Sequence, residues 1–277
     1  MFKDNVFKIS RFMNLCRKNM VESWKTNLLR VSLMYGVMVV ILLWTGYLRY
    51  DGMLPGADIH DSMVEVSFYL FIVFGIICGI ISASFTMENM KSKTSRIAAL
   101  MNPATPFEKY FSRWFVSTVV FMVVFIIAYM LADGTRVLVY SIAYPEKNIV
   151  MAKLSYFFAT TGDYTFMENG SRAITSYFAP YLLVQSCFVL GSSVWPKNSL
   201  IKTFVAGFLI MLAYGFIFAG IGQLLFDTTS VSNSNMDSEG FEDTLKTIGY
   251  IVQTVFIFLN WTLAYFRFKE SEIINRW

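Results

Sequence analysis

Charge is what this chain lacks over most of its length. Six stretches, Val31–Leu48, Val66–Met87, Trp114–Ala132, Ser176–Trp195, Thr203–Phe226 and Thr247–Phe266, contain no Asp, Glu, Lys, Arg or His. A helix needs about 20 apolar residues to cross a hydrocarbon layer of about 30 Å, and each stretch has about that length. A soluble protein would not sort its 23 basic and 19 acidic residues so cleanly between such runs. The expected fold is therefore an all-α integral membrane protein with six transmembrane helices and a single transmembrane domain over residues 1–277.

Other absences narrow the chemistry. Histidine occurs once, at His60, between Asp58 and Asp61 in the short loop Arg49–Glu65, where a solvated loop is a better reading than a metal site. The three cysteines, Cys16, Cys78 and Cys187, have neither pairing nor metal-ligand spacing, so they are expected to be small apolar fillers. There is no H-E-x-x-H, no G-x-S-x-G and no G-x-x-x-x-G-K-[ST]. The chain is thus not expected to be an enzyme, and no cofactor, metal or nucleotide is expected in it. Ion-coupled carriers leave an expensive buried carboxylate or lysine within a span, and these runs hold none.

What charge there is falls on one side. With a cytoplasmic amino terminus, the inner segments hold seven Lys or Arg in residues 1–30, five in 88–113, two in 196–202 and three in 267–277. That majority is the positive-inside signature and predicts both termini in the cytoplasm of a plasma (bacterial inner) membrane protein. The net charge of +4 reflects this sidedness, so no nucleic-acid partner is inferred. Trp44, Tyr47 and Tyr50 at one end of the first run, and Trp114, Trp195 and Trp261 near the other face, fit interfacial belts.

Residues 2–29 carry an apolar stripe, Phe2, Val6, Ile9, Met13, Cys16, Met20, Trp24 and Leu28, at steps of three and four. This predicts one amphipathic basic helix over residues 1–30, lying in the inner headgroup plane or packed on a soluble partner. Gly75, Gly79 and Ala83 form a small-residue ridge at four-residue spacing, usable for internal packing or for dimerisation. Gly134–Thr175 reads as a long external loop, Asp227–Asp243 as an acidic one, and Arg267–Trp277 as a cytoplasmic tail. The fourth run, with Gln185, Ser186, Ser192 and Ser193, is expected to be shielded by neighbouring helices. The polar residues Gln185, Gln253 and Asn260 either line a path or hydrogen-bond between helices.

The loop Glu88–Trp114 is the most informative segment. Ser92–Met101 is compatible with a short helix bearing Ile97, Leu100 and Met101 among Lys91, Lys93 and Arg96, and Asn102-Pro103 stops it. Thr105-Pro106-Phe107-Glu108 then predicts a helix start with Thr as N-cap, Pro at the first helical position and Glu completing a capping box. A push on the short helix would pass directly into a transmembrane helix.

The stretch Ser95–Trp114, especially LMNPATPFEKYFSRW, resembles the segment between the second and third spans of type 2 ABC export permeases, with Asn102 where a Leu is usual and Thr105 where a Ser is usual. The basic amino-terminal helix, six runs and charged tail Arg267-Phe268-Lys269-Glu270 are similar to that family's layout. The resemblance implies a permease subunit, paired with a second permease chain, that exports substrate using ATP-binding subunits supplied in trans. ATP and Mg would be bound by those partners and lipid by the spans. The amino-terminal helix would be an elbow along the inner leaflet. It further implies ATPase docking and coupling by Ser95, Arg96, Leu100, Met101, Thr105, Pro106 and Glu108, and a re-entrant turn near Gly220, Gly222 and Gln223. The alternative is a membrane scaffold that recruits a cytoplasmic partner and transports nothing.

Overall fold

The computed structural model describes residues 7–51, 59–145, 149–152, 170–225 and 238–273. The connections 52–58, 153–169 and 226–237, with Asn169 of a glycosylation-type sequon and most of the acidic loop, lie outside the described residues, as do the chain ends.

In chain order the helices are α1 (Ile9–Glu22), α2 (Trp24–Asp51), α3 (Ile59–Ser84), a 3₁₀ turn (Glu88–Met90), α4 (Lys93–Leu100), α5 (Pro106–Phe115), a π-helical turn (Val116–Val120), α6 (Phe121–Ala143), α7 (Gly170–Val194), α8 (Ser199–Leu225) and α9 (Ser238–Ile273). No strand occurs among the described residues. Five stretches are long and apolar enough to cross a membrane: Trp24–Tyr50, Glu65–Met90, Pro106–Ala143, Ser199–Phe216 and Thr247–Ser271. The described apolar part of α7, Phe178–Val194, is shorter.

Helix boundaries differ from the sequence expectation in four places, each for a local reason. The single helix expected over residues 1–30 breaks at Ser23, whose hydroxyl donates to the Asn19 carbonyl (2.6 Å) and accepts from the Asn27 amide (3.1 Å). Those bonds hold Ser23 out of helical geometry (φ −106°, ψ 16°), so the first apolar helix begins at Trp24 rather than at Val31. The loop expected from Gly134 is helical as far as Ala143, because Asp133 and Arg136 pair one turn apart within it. The tail expected from Arg267 continues α9 to Ile273, with an Arg267–Glu270 pair (3.0 Å) on its surface and Phe268 buried beneath. The backbone at Gly220, Gly222 and Gln223 is helical, so α8 runs unbroken through Leu225.

Two apolar clusters organise the bundle. Met38, Leu42, Phe74, Phe125, Tyr129 and Ala132 join α2, α3 and α6. Ala83, Met87, Tyr110, Phe188, Val189, Ala264 and Phe268 join α3, α5, α7 and α9. The small-residue ridge of α3 is spent on internal packing: Gly75 faces Phe125, Gly79 faces Tyr181 and Ala83 is fully buried. A Cβ at Gly79 would sit 2.5 Å from a Tyr181 ring carbon. Gly79→Val is expected to lower stability by about 1–3 kcal/mol through overpacking. Thermal unfolding in detergent checks this, and Tyr181→Ala in the same chain should restore part of the loss.

Candidate functional site

The start of α5 is built as its sequence dictates. Thr105 Oγ1 accepts the Glu108 N–H (3.3 Å), Glu108 Oε2 accepts the Thr105 N–H (3.1 Å), and Pro106 occupies the first turn, where no N–H is needed. The other carboxylate oxygen of Glu108 reaches across the chain. It accepts the backbone N–H of Lys8 (2.7 Å) and both Nη2 (2.9 Å) and Nε (3.2 Å) of Arg11. Glu108 is fully buried by these partners, so one carboxylate both caps α5 and fixes the first turn of α1. Charge-assisted bonds of this kind are roughly twice as strong as neutral ones.

Aromatic rings extend the junction. Phe12 packs at 5.2 Å from Phe111 and 5.7 Å from Phe115, while Phe107 stacks on Phe111 at 5.6 Å. Farther along α1, Lys18 Nζ donates to Asn102 Oδ1 (2.6 Å) and Asn19 to Ser112 Oγ (3.4 Å). Arg30 at the base of α2 pairs with Glu88 (2.7 Å) and lies 4.1 Å over the Phe85 ring. Cys16 is buried in α1, and burial pushes its thiol pKa up, which keeps it a protonated apolar filler. Ile9, Met13 and Met20 of the expected stripe face outward, whereas Cys16 of the same stripe is buried and Phe12, off the stripe, packs on Phe111 and Phe115 of α5.

The opposite side of α5 is held by α9. Tyr110 Oη donates to the Trp261 carbonyl (2.9 Å), and the Trp114 and Trp261 rings meet edge to face at 5.0 Å. Arg113 lies 5.5 Å over Phe268.

The residues expected for docking (Ser95, Arg96, Leu100, Met101) and for transmission (Thr105, Pro106, Glu108) lie in two places. Thr105, Pro106 and Glu108 converge on the α1–α5 junction. Ser95, Arg96 and Met101 sit apart, on or next to α4. Ser92 caps that helix by accepting the Ser95 N–H (3.2 Å), and Arg96 Nη2 donates to the Met90 carbonyl (3.2 Å). Met101 is 79% exposed and Ile97 is exposed beside it, whereas Ala99 is buried. Leu100 is the last residue of α4, and its side chain lies outside the described residues.

The polar residues of the apolar helices pair with one another. Gln185 Nε2 donates to Thr118 Oγ1 (2.8 Å), and Asn260 Nδ2 donates to Ser186 Oγ (3.0 Å), tying α7 to the third long helix and to α9. Ser192 and Ser193 on α7 are buried, as the shielding of that helix requires. Gln253 lies two turns before Asn260 on α9 and is half-buried.

A second buried ionic cluster stands at the far end of α6. Arg136 Nε binds Asp133 Oδ1 (2.7 Å), Arg136 Nη1 donates to Tyr50 Oη (2.8 Å) and Nη2 to the Val150 carbonyl (3.2 Å). Asp133 Oδ2 accepts the Ala152 N–H (2.8 Å), and both side chains are almost completely buried. The sequence reading missed this cluster because both charges fall just past the apolar run. The available signal was the i, i+3 Asp–Arg spacing, which pairs only if the helix continues.

Among the described residues no three His, Cys, Asp or Glu side chains form a group that could hold a metal ion. No protein-family model, curated protein or solved structure matches the chain. Fold and site together define an all-α protein with helices fit to cross a membrane, a capped and charge-anchored helix junction at one end and a buried ion pair at the other.

Proposed function

We propose that this chain is the membrane-spanning permease subunit of an ATP-driven exporter, with six spans and both termini cytoplasmic. It would work with a second permease chain and with ATP-binding subunits that dock on α4. The observation that carries this reading is the Glu108 junction. A short helix with exposed Ile97 and Met101 leads through a sharp break into α5, which is rigidly capped and bonded to α1. Force applied at α4 would therefore reach the third long helix without being lost in a flexible linker. The exposed apolar residues of α1, Ile9, Met13 and Met20, support an elbow lying along the inner leaflet. The layout resemblance to type 2 ABC export permeases supports the same assignment, and the substrate would be moved by the assembled complex.

The test is assembly. Purified in lipid from its own cells, the chain should bring down an ATPase whose turnover rises in the complex. Met101→Asp and Arg96→Glu should each reduce that co-purification about tenfold or more, the weight of one interface hot-spot residue; Met101→Asp should leave thermal unfolding within about 0.5 kcal/mol, and Arg96→Glu should lower it by about 1 kcal/mol through loss of the bond to the Met90 carbonyl. A copurifying partner without nucleotide hydrolysis would instead favour the scaffold reading. Labelling of exposed Lys93 from outside sealed cells would overturn the orientation and the docking role with it.

A further inference from the structure

One side of α1 is fixed to the bundle and the other is bare. Phe12 and Cys16 are buried, and the Lys8 N–H and Arg11 hold Glu108, so the chain itself sets which face of α1 points away from α5. That face carries Ile9, Met13, Met20 and Val21, all exposed. At about 100° per residue, Ile9, Met13 and Met20 fall within about 40° of one another, and Arg17 falls between them and Val21.

Charge on this face is not balanced within the chain. Glu22 is the one acid of α1, and Lys18 lies against it (3.5 Å). Arg11 is committed to Glu108 and Arg30 to Glu88. Arg17 and, just past the break at Ser23, Lys25 are exposed and make no ion pair among the described residues. Arg17 is thus a cation set among exposed apolar side chains. A soluble partner would have to bury that cation against an acid of its own. At a bilayer surface the same side chain extends its guanidinium to the headgroups while its neighbours enter the acyl layer.

We propose that α1 and the base of α2 recognise anionic phospholipid: Arg17 and Lys25 bind headgroup phosphates while Ile9, Met13, Met20 and Val21 enter the acyl layer. The inference rests on the elbow orientation proposed above and adds the chemical class of lipid; it involves neither an ATPase nor α4. Chain continuity supports it, since α1 ends one residue before α2, a helix long and apolar enough to cross a membrane. Trp24, exposed at that junction, is a side chain that favours the level where headgroups meet acyl chains. A net negative bilayer surface attracts each nearby Lys or Arg by about 1 kcal/mol, or about fivefold in affinity. Because α1 is already folded and clamped by Glu108, lipid binding has no segment to order first.

The full chain is placed in nanodiscs of phosphatidylcholine alone, or of phosphatidylcholine mixed with phosphatidylglycerol, and amide hydrogen exchange is followed over Ile9–Glu22. Exchange there should be about tenfold or more slower in the mixed bilayer, the combined weight of two cations. Arg17→Gln with Lys25→Gln should abolish that difference and leave exchange over Phe121–Ala143 unchanged, since both side chains are exposed. Equal exchange of the unaltered chain in the two bilayers overturns the proposal, as does a difference that survives the double neutralisation. Inorganic phosphate added to the phosphatidylcholine discs should change nothing; slowing by phosphate alone overturns lipid as the ligand. Ile9→Ala with Met13→Ala, which preserves helix propensity, should speed exchange of α1 in both bilayers. If that pair has no effect in either bilayer, the elbow orientation fails and the inference with it. If it speeds exchange while lipid charge does nothing, the elbow stands and the inference alone is overturned.

Discussion

Replacing Arg136 with methionine should cost the folded chain about 3–5 kcal/mol, the largest loss expected from any single substitution considered. The reason is what the change leaves behind. Asp133 is about 1% exposed, and without the guanidinium its charge would remain buried with the Ala152 N–H as its remaining partner among the described residues. Tyr50 Oη and the Val150 carbonyl would lose their donor as well. Removing both charges in Asp133→Asn with Arg136→Met should cost less than Arg136→Met alone, because no bare carboxylate is then stranded in apolar surroundings. Tyr50→Phe should cost about 1 kcal/mol, the weight of one hydrogen bond. Unfolding of the purified chain in mixed micelles of mild and denaturing detergent measures all three. A double variant as unstable as the single one would show that the pair acts through shape and not through charge.

The second large effect belongs to Glu108. Glu108→Ala should destabilise the α1–α5 junction by about 3 kcal/mol, since it strips acceptors from the Lys8 and Thr105 N–H groups and from Arg11 at once. Glu108→Gln is the discriminating companion. Glutamine also serves in a capping box, so α5 should keep its start while α1 loses the charge that anchors Arg11. Arg11→Met should cost more than Glu108→Gln, because it leaves the fully buried Glu108 carboxylate charged and held by the Lys8 and Thr105 N–H groups, whereas glutamine removes that charge. Amide hydrogen exchange reads the difference by segment. In Glu108→Ala both Ile9–Glu22 and Pro106–Phe115 should lose protection, whereas in Glu108→Gln the loss should be confined to the former. Equal loss in both segments for Glu108→Gln would separate the cap from the carboxyl chemistry assigned to it.

Local chemistry was legible in the chain and distant chemistry was not. Thr105-Pro106-Phe107-Glu108 announces a capped helix start because every bond in that motif closes within four residues, and the structure has each of them. The charge-free runs likewise locate the long helices, since burial in lipid and spanning length leave a direct compositional trace. The second role of Glu108 left none: Lys8 and Arg11 lie about a hundred positions away in sequence, and nothing in either neighbourhood names the other. Gly134 misled in a different way. Glycine after an apolar run suggests a turn, yet here it sits between Asp133 and Thr135 inside a helix held together by an ion pair. The wide turn at Val116–Val120 shows only as a run of β-branched residues around Ser117, which is equally common in ordinary membrane helices. The outward-facing half of the α1 stripe was read correctly as apolar, and only packing could reveal that Phe12, off that stripe, makes the contact.

Chain order gives the α7–α9 seam a consequence for biogenesis. Ser186 takes its bond from Asn260, 74 residues farther on, so the ribosome finishes α7 long before its polar partner exists. Until then that stretch of α7 has Thr118, already synthesised and bound by Gln185, as its cross-helix hydrogen-bond partner among the described residues. The strongly apolar α8 follows after a four-residue turn and carries the hairpin toward the bilayer by its own hydropathy. α9, which emerges after its partner α7, therefore closes this seam, and nascent chains halted before Asn260 should be the ones that quality-control proteases recognise.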